Sequence, residues 1–286
     1  MRRGNMALPD FMGIGPGRTG TSWLHEVLVG HADLPEGVKE TQFFNHSYAK
    51  GVAWYASHFR HARGDRPIGE ICPYFIDAEA PTRIKSLLPD CKLVVCFRDP
   101  VDHAYSNYKL LMAYAWARGS FEEVLETRPH IDRGNQYAAN LRRWFDAFGR
   151  DQVMVTWYED LSSNPQGYLD RFCDFTGIAR FPLPPVGSSE KKVNEFQGPP
   201  RSRRIAQNAR HAMYWLRDRR AYSLINALDR AGLWTFCFSG PNRYPRLTAE
   251  QDARLRQRYL PEVEALENLL GCDLSRWKRP REARAA

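Results

Sequence analysis

No run of eighteen apolar residues occurs anywhere in this chain, so no membrane-crossing helix and no stable membrane insertion are expected. The opening Met1-Arg2-Arg3-Gly4-Asn5-Met6-Ala7-Leu8-Pro9 has two arginines but no apolar stretch behind them, which argues against a secretory signal peptide. Cysteine is sparse: Cys72, Cys91, Cys96, Cys173, Cys237 and Cys272 form neither close pairs nor a metal-ligand spacing. Several lie inside apolar runs, and buried free thiols are the expectation. No internal repeat, low-complexity tract or nucleic-acid-binding motif is visible, so repeat architectures are set aside.

What remains is an ordinary globular composition, with 43% hydrophobic and 26% charged residues in 286, long enough for one large α/β domain with a real core. A net charge of +8 suits nucleic acid, a membrane surface or an anionic substrate. The basic residues gather in Lys191-Lys192 and in Arg201, Arg203, Arg204, Arg210, Arg217, Arg219 and Arg220, which keeps a nucleic-acid module as a distant alternative class; with no binding motif for it, no nucleic-acid partner is expected.

Short apolar runs predict strands at 10–15, 67–71, 92–97 and 152–157. Helical patterns fall between them, at 21–29, 52–59, 80–88, 101–115, 121–126, 136–148 and 161–176. This alternation predicts an α/β three-layer sandwich with a central parallel sheet. A single domain over 1–286 is expected, with its core at about 10–178. A Pro-rich linker (Phe181-Pro182-Leu183-Pro184-Pro185, then Gly198-Pro199-Pro200) leads into a helical part to about 278. Its helices are expected near 202–217 and 222–231, then from Thr248, where Thr248-Ala249-Glu250-Gln251 reads as a capping box.

The segment Gly13-Ile14-Gly15-Pro16-Gly17-Arg18-Thr19-Gly20-Thr21-Ser22-Trp23 builds an anion cradle. Glycines let backbone N–H groups converge, a helix N-terminus adds its unpaired donors, and Arg18, Thr19, Thr21 and Ser22 add more. A P-loop-like phosphate site follows. A Walker A loop would need lysine where Thr21 stands. A dinucleotide site would need a second strand ending in an acid, and the stretch holding Glu36 and Glu40 makes a poor strand. That alternative, and a glycine turn without ligand, stay open from this loop alone. A second site lies at the end of the run Lys92–Phe97, where Arg98-Asp99-Pro100 opens a helical pattern carrying Ser106.

Gly17-Arg18-Thr19-Gly20-Thr21-Ser22-Trp23 resembles the 5′-phosphosulfate loop of sulfotransferases that use 3′-phosphoadenosine 5′-phosphosulfate (PAPS). Arg98 and Ser106 resemble that family's 3′-phosphate site. Val38-Lys39-Glu40-Thr41-Gln42-Phe43-Phe44 is similar to the Lys-Glu-x-x-Phe-Phe segment of the heparan sulfate branch. Gly69-Glu70-Ile71-Cys72-Pro73-Tyr74-Phe75 is similar to its Glu-x-Ser/Thr-Pro-x-Tyr-Phe segment, one residue shorter. Trp157-Tyr158-Glu159-Asp160-Leu161 and Gly240-Pro241-Asn242-Arg243-Tyr244-Pro245 match later family segments, the second a loop closing over the nucleotide.

The resemblance implies PAPS as donor, its bisphosphate (PAP) as product, and no metal, since the donor is not a triphosphate. It implies nucleotide contacts from Gly17, Arg18, Thr19, Gly20, Thr21, Ser22, Trp23, Arg98, Ser106, Tyr158 and Arg243, with Trp23 and Tyr158 against the adenine. Arg18 stands where the family usually has lysine. Arginine cannot give up its proton, so it would neutralise charge on the leaving oxygen. Glu40 would be the base, with Phe43 and Phe44 as an apolar wall raising its pKa; from the residues alone, a solvated loop glutamate paired with Lys39 is the alternative. Other branches use a histidine, and His46 and His103 are the candidates here. The implied acceptor is a carbohydrate or glycolipid. Trp54, Tyr55, Tyr114, Trp116 and Trp215 would equally suit a phenolic or alcohol natural product. The relatives suggested by the Glu40 segment are Golgi membrane proteins. Without their anchor a cytoplasmic enzyme is expected, although an excised catalytic domain would look the same.

Overall fold

Short stretches of three to six residues, mostly apolar but with Glu70 in the middle of the second, form four parallel strands: β1 (Phe11–Gly15), β2 (Gly69–Ile71), β3 (Lys92–Phe97) and β4 (Val153–Trp157). The computed structural model describes residues 6–184 and 198–280; the basic pair Lys191-Lys192 and Pro185 lie outside the described residues. In chain order the helices up to β4 are α1 (Thr21–Leu28), α2 (Val52–Ala56), α3 (Ala80–Leu87), α4 (Pro100–Ala113), α5 (Phe121–Thr127), α6 (His130–Asn135) and α7 (Tyr137–Phe148). Those after it are α8 (Tyr158–Ser163), α9 (Pro165–Thr176), α10 (Arg203–Asp218), α11 (Tyr222–Arg230), α12 (Leu233–Phe238), α13 (Ala249–Leu270) and α14 (Ser275–Lys278).

The described residues divide into two compact units. The first runs to Arg98 and resumes at Ala139; the second holds Asp99–Ala138 and the residues from 198 onward. Residues 99–138, inside the 10–178 core of the sequence reading, thus group with the C-terminal helices.

In the first unit the strand order is β2-β1-β3-β4. The chain adds β2 on one side of β1 and β3 on the other, so the winding reverses between β1 and β3. Ligands of parallel sheets bind beyond the strand C-termini at such a switch point. Gly15 and Phe97 end the two strands concerned, and the β1–β3 register shifts between Gly13 and Gly15, where the glycine loop begins.

One face of the sheet buries Phe11, Ile71, Val94 and Cys96 against Leu24 and Leu28 of α1 and Leu169 and Phe172 of α9. The opposite face carries Phe97, whose ring meets that of Phe75 at 5.2 Å. Trp144 of α7, fully buried, donates its indole N–H to the Phe75 carbonyl at 2.9 Å, so its one polar atom is satisfied.

The second unit is organised on α4. Asp99 caps it, accepting from the Val101 N–H at 2.9 Å with Pro100 in the first turn. Arg256 of α13 reaches the same carboxylate at 3.2 Å and that of Asp252 at 2.7 Å, all three side chains being buried. The capping box at Thr248 and Gln251 forms as read from sequence.

The helix expected over 161–176 is two. Pro165 disfavours a helical residue before it, and Asn164, at φ −143°, ends α8 while its side chain caps α9 through the Gly167 N–H. Helices α6, α12 and α14, of six residues or fewer, are too short to show a helical period.

Candidate active site

The loop after β1 takes its shape from three left-handed residues, Gly15 (φ 91°), Arg18 (φ 69°) and Gly20 (φ 92°). Gly20 caps α1 without a side chain, which leaves the first-turn N–H groups to the loop's concave side. A Cβ on Gly20 would fall 2.5 Å from Leu161 Cδ2, so glycine is demanded both by φ and by space. Thr19, almost fully buried, donates its hydroxyl to the Pro16 carbonyl at 2.7 Å and so serves the loop itself. Gly17, Thr21, Ser22 and Trp23 follow the expected order; Trp23 is half-buried and packs edge-on against Tyr168 at 6.1 Å.

Arg98 comes to this loop from the end of β3. Its guanidinium donates to the Arg18 carbonyl at 3.5 Å and lies 4.4 Å from the centre of the Tyr158 ring. Three residues proposed from distant sequence positions, Arg18, Arg98 and Tyr158, therefore meet in the first unit. In the second unit, Ser106 is buried on α4. The Arg243 loop is tied to the same helix: the Tyr244 hydroxyl donates to the Lys109 carbonyl at 3.3 Å, and Tyr105 donates to the Pro245 carbonyl. Arg243 itself is exposed.

Glu40 joins the loop through its sequence neighbour Lys39. Lys39 Nζ donates to the Ser22 hydroxyl at 2.8 Å and pairs with Glu40 Oε1 at 3.0 Å. The second Glu40 oxygen accepts from Gln42 Nε2 at 3.0 Å. The apolar wall expected beside Glu40 does not form. Phe43 and Phe44 are buried in an aromatic cluster with Tyr55 and Tyr74, Phe43 stacking on Tyr55 at 4.5 Å, while Glu40 is surrounded by an ammonium and an amide. Tyr55, suggested for an acceptor, is fully buried in that cluster and cannot line an open site.

His25, on α1 one turn past Ser22, has its pKa lowered to about 4, first by burial, then by the Lys39 charge, against a smaller raising effect of Glu40. Of the two candidate histidines, His103 is buried between Asn135 (2.5 Å) and Asn107 (3.2 Å), a structural setting, and His46 is exposed. Among the described residues no group of three or more His, Cys, Asp or Glu could hold a metal ion. No helix among them is long and apolar enough to cross a membrane.

Comparison with known proteins agrees with this geometry. The chain is 34% identical over 187 residues to heparan sulfate glucosamine 3-O-sulfotransferase 3B1 of Mus musculus, covering 62% of this chain and 48% of that protein. It is 31% identical over 195 residues to bifunctional heparan sulfate N-deacetylase/N-sulfotransferase 4 of Mus musculus, covering 60% of this chain and 22% of that protein. The chain thus spans about half the length of the 3-O-sulfotransferases it matches. The crystal structure of a sulfotransferase from Alicyclobacillus acidocaldarius shares the fold, with a TM-score of 0.69 at 22% identity over 96% of this chain and 100% of that one. Residues 8–195 match the family model described as a sulfotransferase domain, and with two-thirds of its length inside that match the chain belongs to the sulfotransferase family.

Proposed function

We propose that the chain transfers the sulfuryl group of PAPS to a hydroxyl or amine of a carbohydrate. The observation that carries this reading is the link Ser22–Lys39–Glu40, which ties a carboxylate to the first turn of the phosphate-loop helix by contacts of 2.8 and 3.0 Å. The cradle fits a phosphate: left-handed turns at Arg18 and Gly20, a helix N-terminus without a side-chain cap, and the Arg98 guanidinium beside the loop. The likeness to heparan sulfate 3-O-sulfotransferases supports a glycan acceptor.

PAPS supplies an activated sulfuryl group whose leaving oxygen is already weakly basic. Arg18 and the loop N–H groups hold the phosphate end and neutralise the charge that grows there. Lys39 adds a second cation between loop and base. Glu40 takes the proton of the acceptor. Arg98, braced on Tyr158, holds the 3′-phosphate.

Labelled PAPS offered with heparan sulfate, chondroitin, glycolipids and phenols tests the reading. Transfer to a glycan is expected, with turnover falling roughly 10²–10³-fold in Arg18→Ala and roughly 10²–10⁴-fold in Glu40→Gln. Transfer only to phenols, with Glu40→Gln near parental activity, would refute the glycan and base assignments. Tight ATP binding that requires Mg²⁺, in place of PAP binding, would refute the donor.

A further inference from the structure

Beneath the Glu40 segment lies a buried carboxylate that the chemistry above does not use. Glu70, the middle residue of β2, pairs in register with Met12 of β1 and is fully buried. Its Oε1 accepts the Thr41 backbone N–H at 2.8 Å and the Thr41 hydroxyl at 2.6 Å. Its Oε2 accepts the Tyr55 hydroxyl at 2.8 Å, and the Tyr74 hydroxyl lies 3.3 Å from both oxygens. Burial holds the Glu70 carboxyl above the usual carboxylate range, the hydrogen bonds from Thr41, Tyr55 and Tyr74 offsetting only part of that. The donors face an acceptor at every point, so ionised Glu70 satisfies all of them at once.

The same network grips the other side of the turn. The Tyr74 hydroxyl accepts the Phe43 N–H at 2.9 Å, and the Thr41 hydroxyl oxygen lies 3.2 Å from that N–H. Between the two anchored residues stands Gln42, in the left-handed region at φ 53°. A non-glycine residue keeps that conformation only where its surroundings impose it. Here they do, because Thr41 and Phe43 are both held from below. The turn delivers Gln42 Nε2 to Glu40 Oε2 at 3.0 Å, and Asn45 Nδ2 fixes the other end of the amide at 2.7 Å.

We infer that Glu70 is the positioning residue of Glu40: through Thr41 and Tyr74 it clamps the left-handed turn whose Gln42 amide orients the carboxylate. This rests on the proposed role of Glu40 as base. A chain of packed hydrogen bonds leads from a sheet strand to the reacting group, so the carboxylate is set by the rigid part of the fold. A shift of about 1 Å in such a group can cost on the order of 10²-fold in rate.

Four variants separate positioning from mere support: Glu70→Gln, Tyr55→Phe, Thr41→Val and Thr41→Ser. Thr41→Val keeps shape and loses only the hydroxyl; Thr41→Ser restores it. With labelled PAPS and heparan sulfate, kcat should fall by roughly 10–10²-fold in Glu70→Gln and about tenfold in Thr41→Val, with Tyr55→Phe falling less than Glu70→Gln. Thr41→Ser should stay near the parent, and PAP affinity by calorimetry should not change in any of them. Parental kcat in folded Thr41→Val and Glu70→Gln would overturn the inference, as would equal loss of kcat and PAP affinity. Should the parent transfer no sulfate to heparan sulfate, the proposed acceptor fails, and nuclear magnetic resonance of the Gln42 side-chain amide then decides. Faster amide proton exchange in Thr41→Val, reversed in Thr41→Ser, supports the clamp; exchange unchanged from the parent overturns it.

Discussion

His25 offers a measurement of the charge arrangement at the site that does not depend on the acceptor. It has a pKa of about 4 in the folded chain, against 6.5 for a free imidazole, first because it is buried and second because Lys39 stands near. The unfolded chain therefore binds a proton at His25 between those two values, while the folded chain does not. Stability is highest above pH 6.5, falls as the pH drops toward 4, and levels below it. A shift from 6.5 to about 4 sets a ceiling of roughly 3 kcal/mol. At pH 5, after discounting for the part of the ring that solvent still reaches, roughly 1–2 kcal/mol should be lost relative to pH 7. Urea unfolding at both pH values, on the parent and on His25→Gln, isolates this contribution, because every other titrating group cancels in the difference. His25→Gln should lose about 1–2 kcal/mol less than the parent over that interval. Lys39→Met removes a lowering charge, so the His25 value should rise and the difference shrink. Glu40→Gln removes a raising charge and should widen it. Equal losses in parent and His25→Gln, or an imidazole that titrates near 6.5, would refute the placement of His25 beside Lys39.

Arg256→Met leaves Asp99 and Asp252 buried without their cation, and should cost about 3–5 kcal/mol in denaturant unfolding; a loss below 1 kcal/mol would contradict the burial of this cluster. Gly20→Ala forces a side chain into φ 92° and against Leu161, which should cost about 1–3 kcal/mol and weaken PAP binding in calorimetry; an unchanged Tm and PAP affinity would count against the loop conformation. Five of the six free cysteines are buried, with Cys96 pushed up to about 12 by burial, and Cys272 is half-buried. Ellman's reagent at pH 8 should therefore titrate one thiol in the native protein and six in urea; rapid reaction of several native thiols would refute this.

The phosphate loop was legible because its conformational demands fall on residues chosen for them. Gly15 and Gly20 both occupy left-handed backbone, and the apolar run before them ends where the β1–β3 register shifts. Strands were readable to within two residues for a related reason: a fully buried parallel strand is a short apolar run whose ends polar or turn residues mark. The break at Asn164-Pro165 was equally visible in the residues, but the hydrophobic period continues across it from Leu161 to Tyr168 and Phe172 and masks the stop. The division at Arg98 and Asp99 could not be read that way. It depends on α4 and α13 meeting through Arg256, 157 positions from Asp99.

Glu40 shows where local reading ends. Its neighbours in sequence, Phe43 and Phe44, suggested an apolar wall, because two aromatics stand three and four positions from it. The segment is instead held by Glu70, 29 positions from Thr41. That anchor forces Gln42 into the left-handed turn and sends the rings down to Tyr55 and Tyr74. The space beside the carboxylate is filled by Lys39, which reaches Ser22 across 17 positions. Arg18 and Gln42 are the non-glycine left-handed residues of this region, and neither residue type announces that conformation. In both cases the backbone is set by tertiary contacts: Arg98 on the Arg18 carbonyl, and Glu70 with Tyr74 around Gln42. The groups proposed for this site could therefore be named from sequence, whereas their orientation belongs to contacts made between distant segments once the sheet has formed.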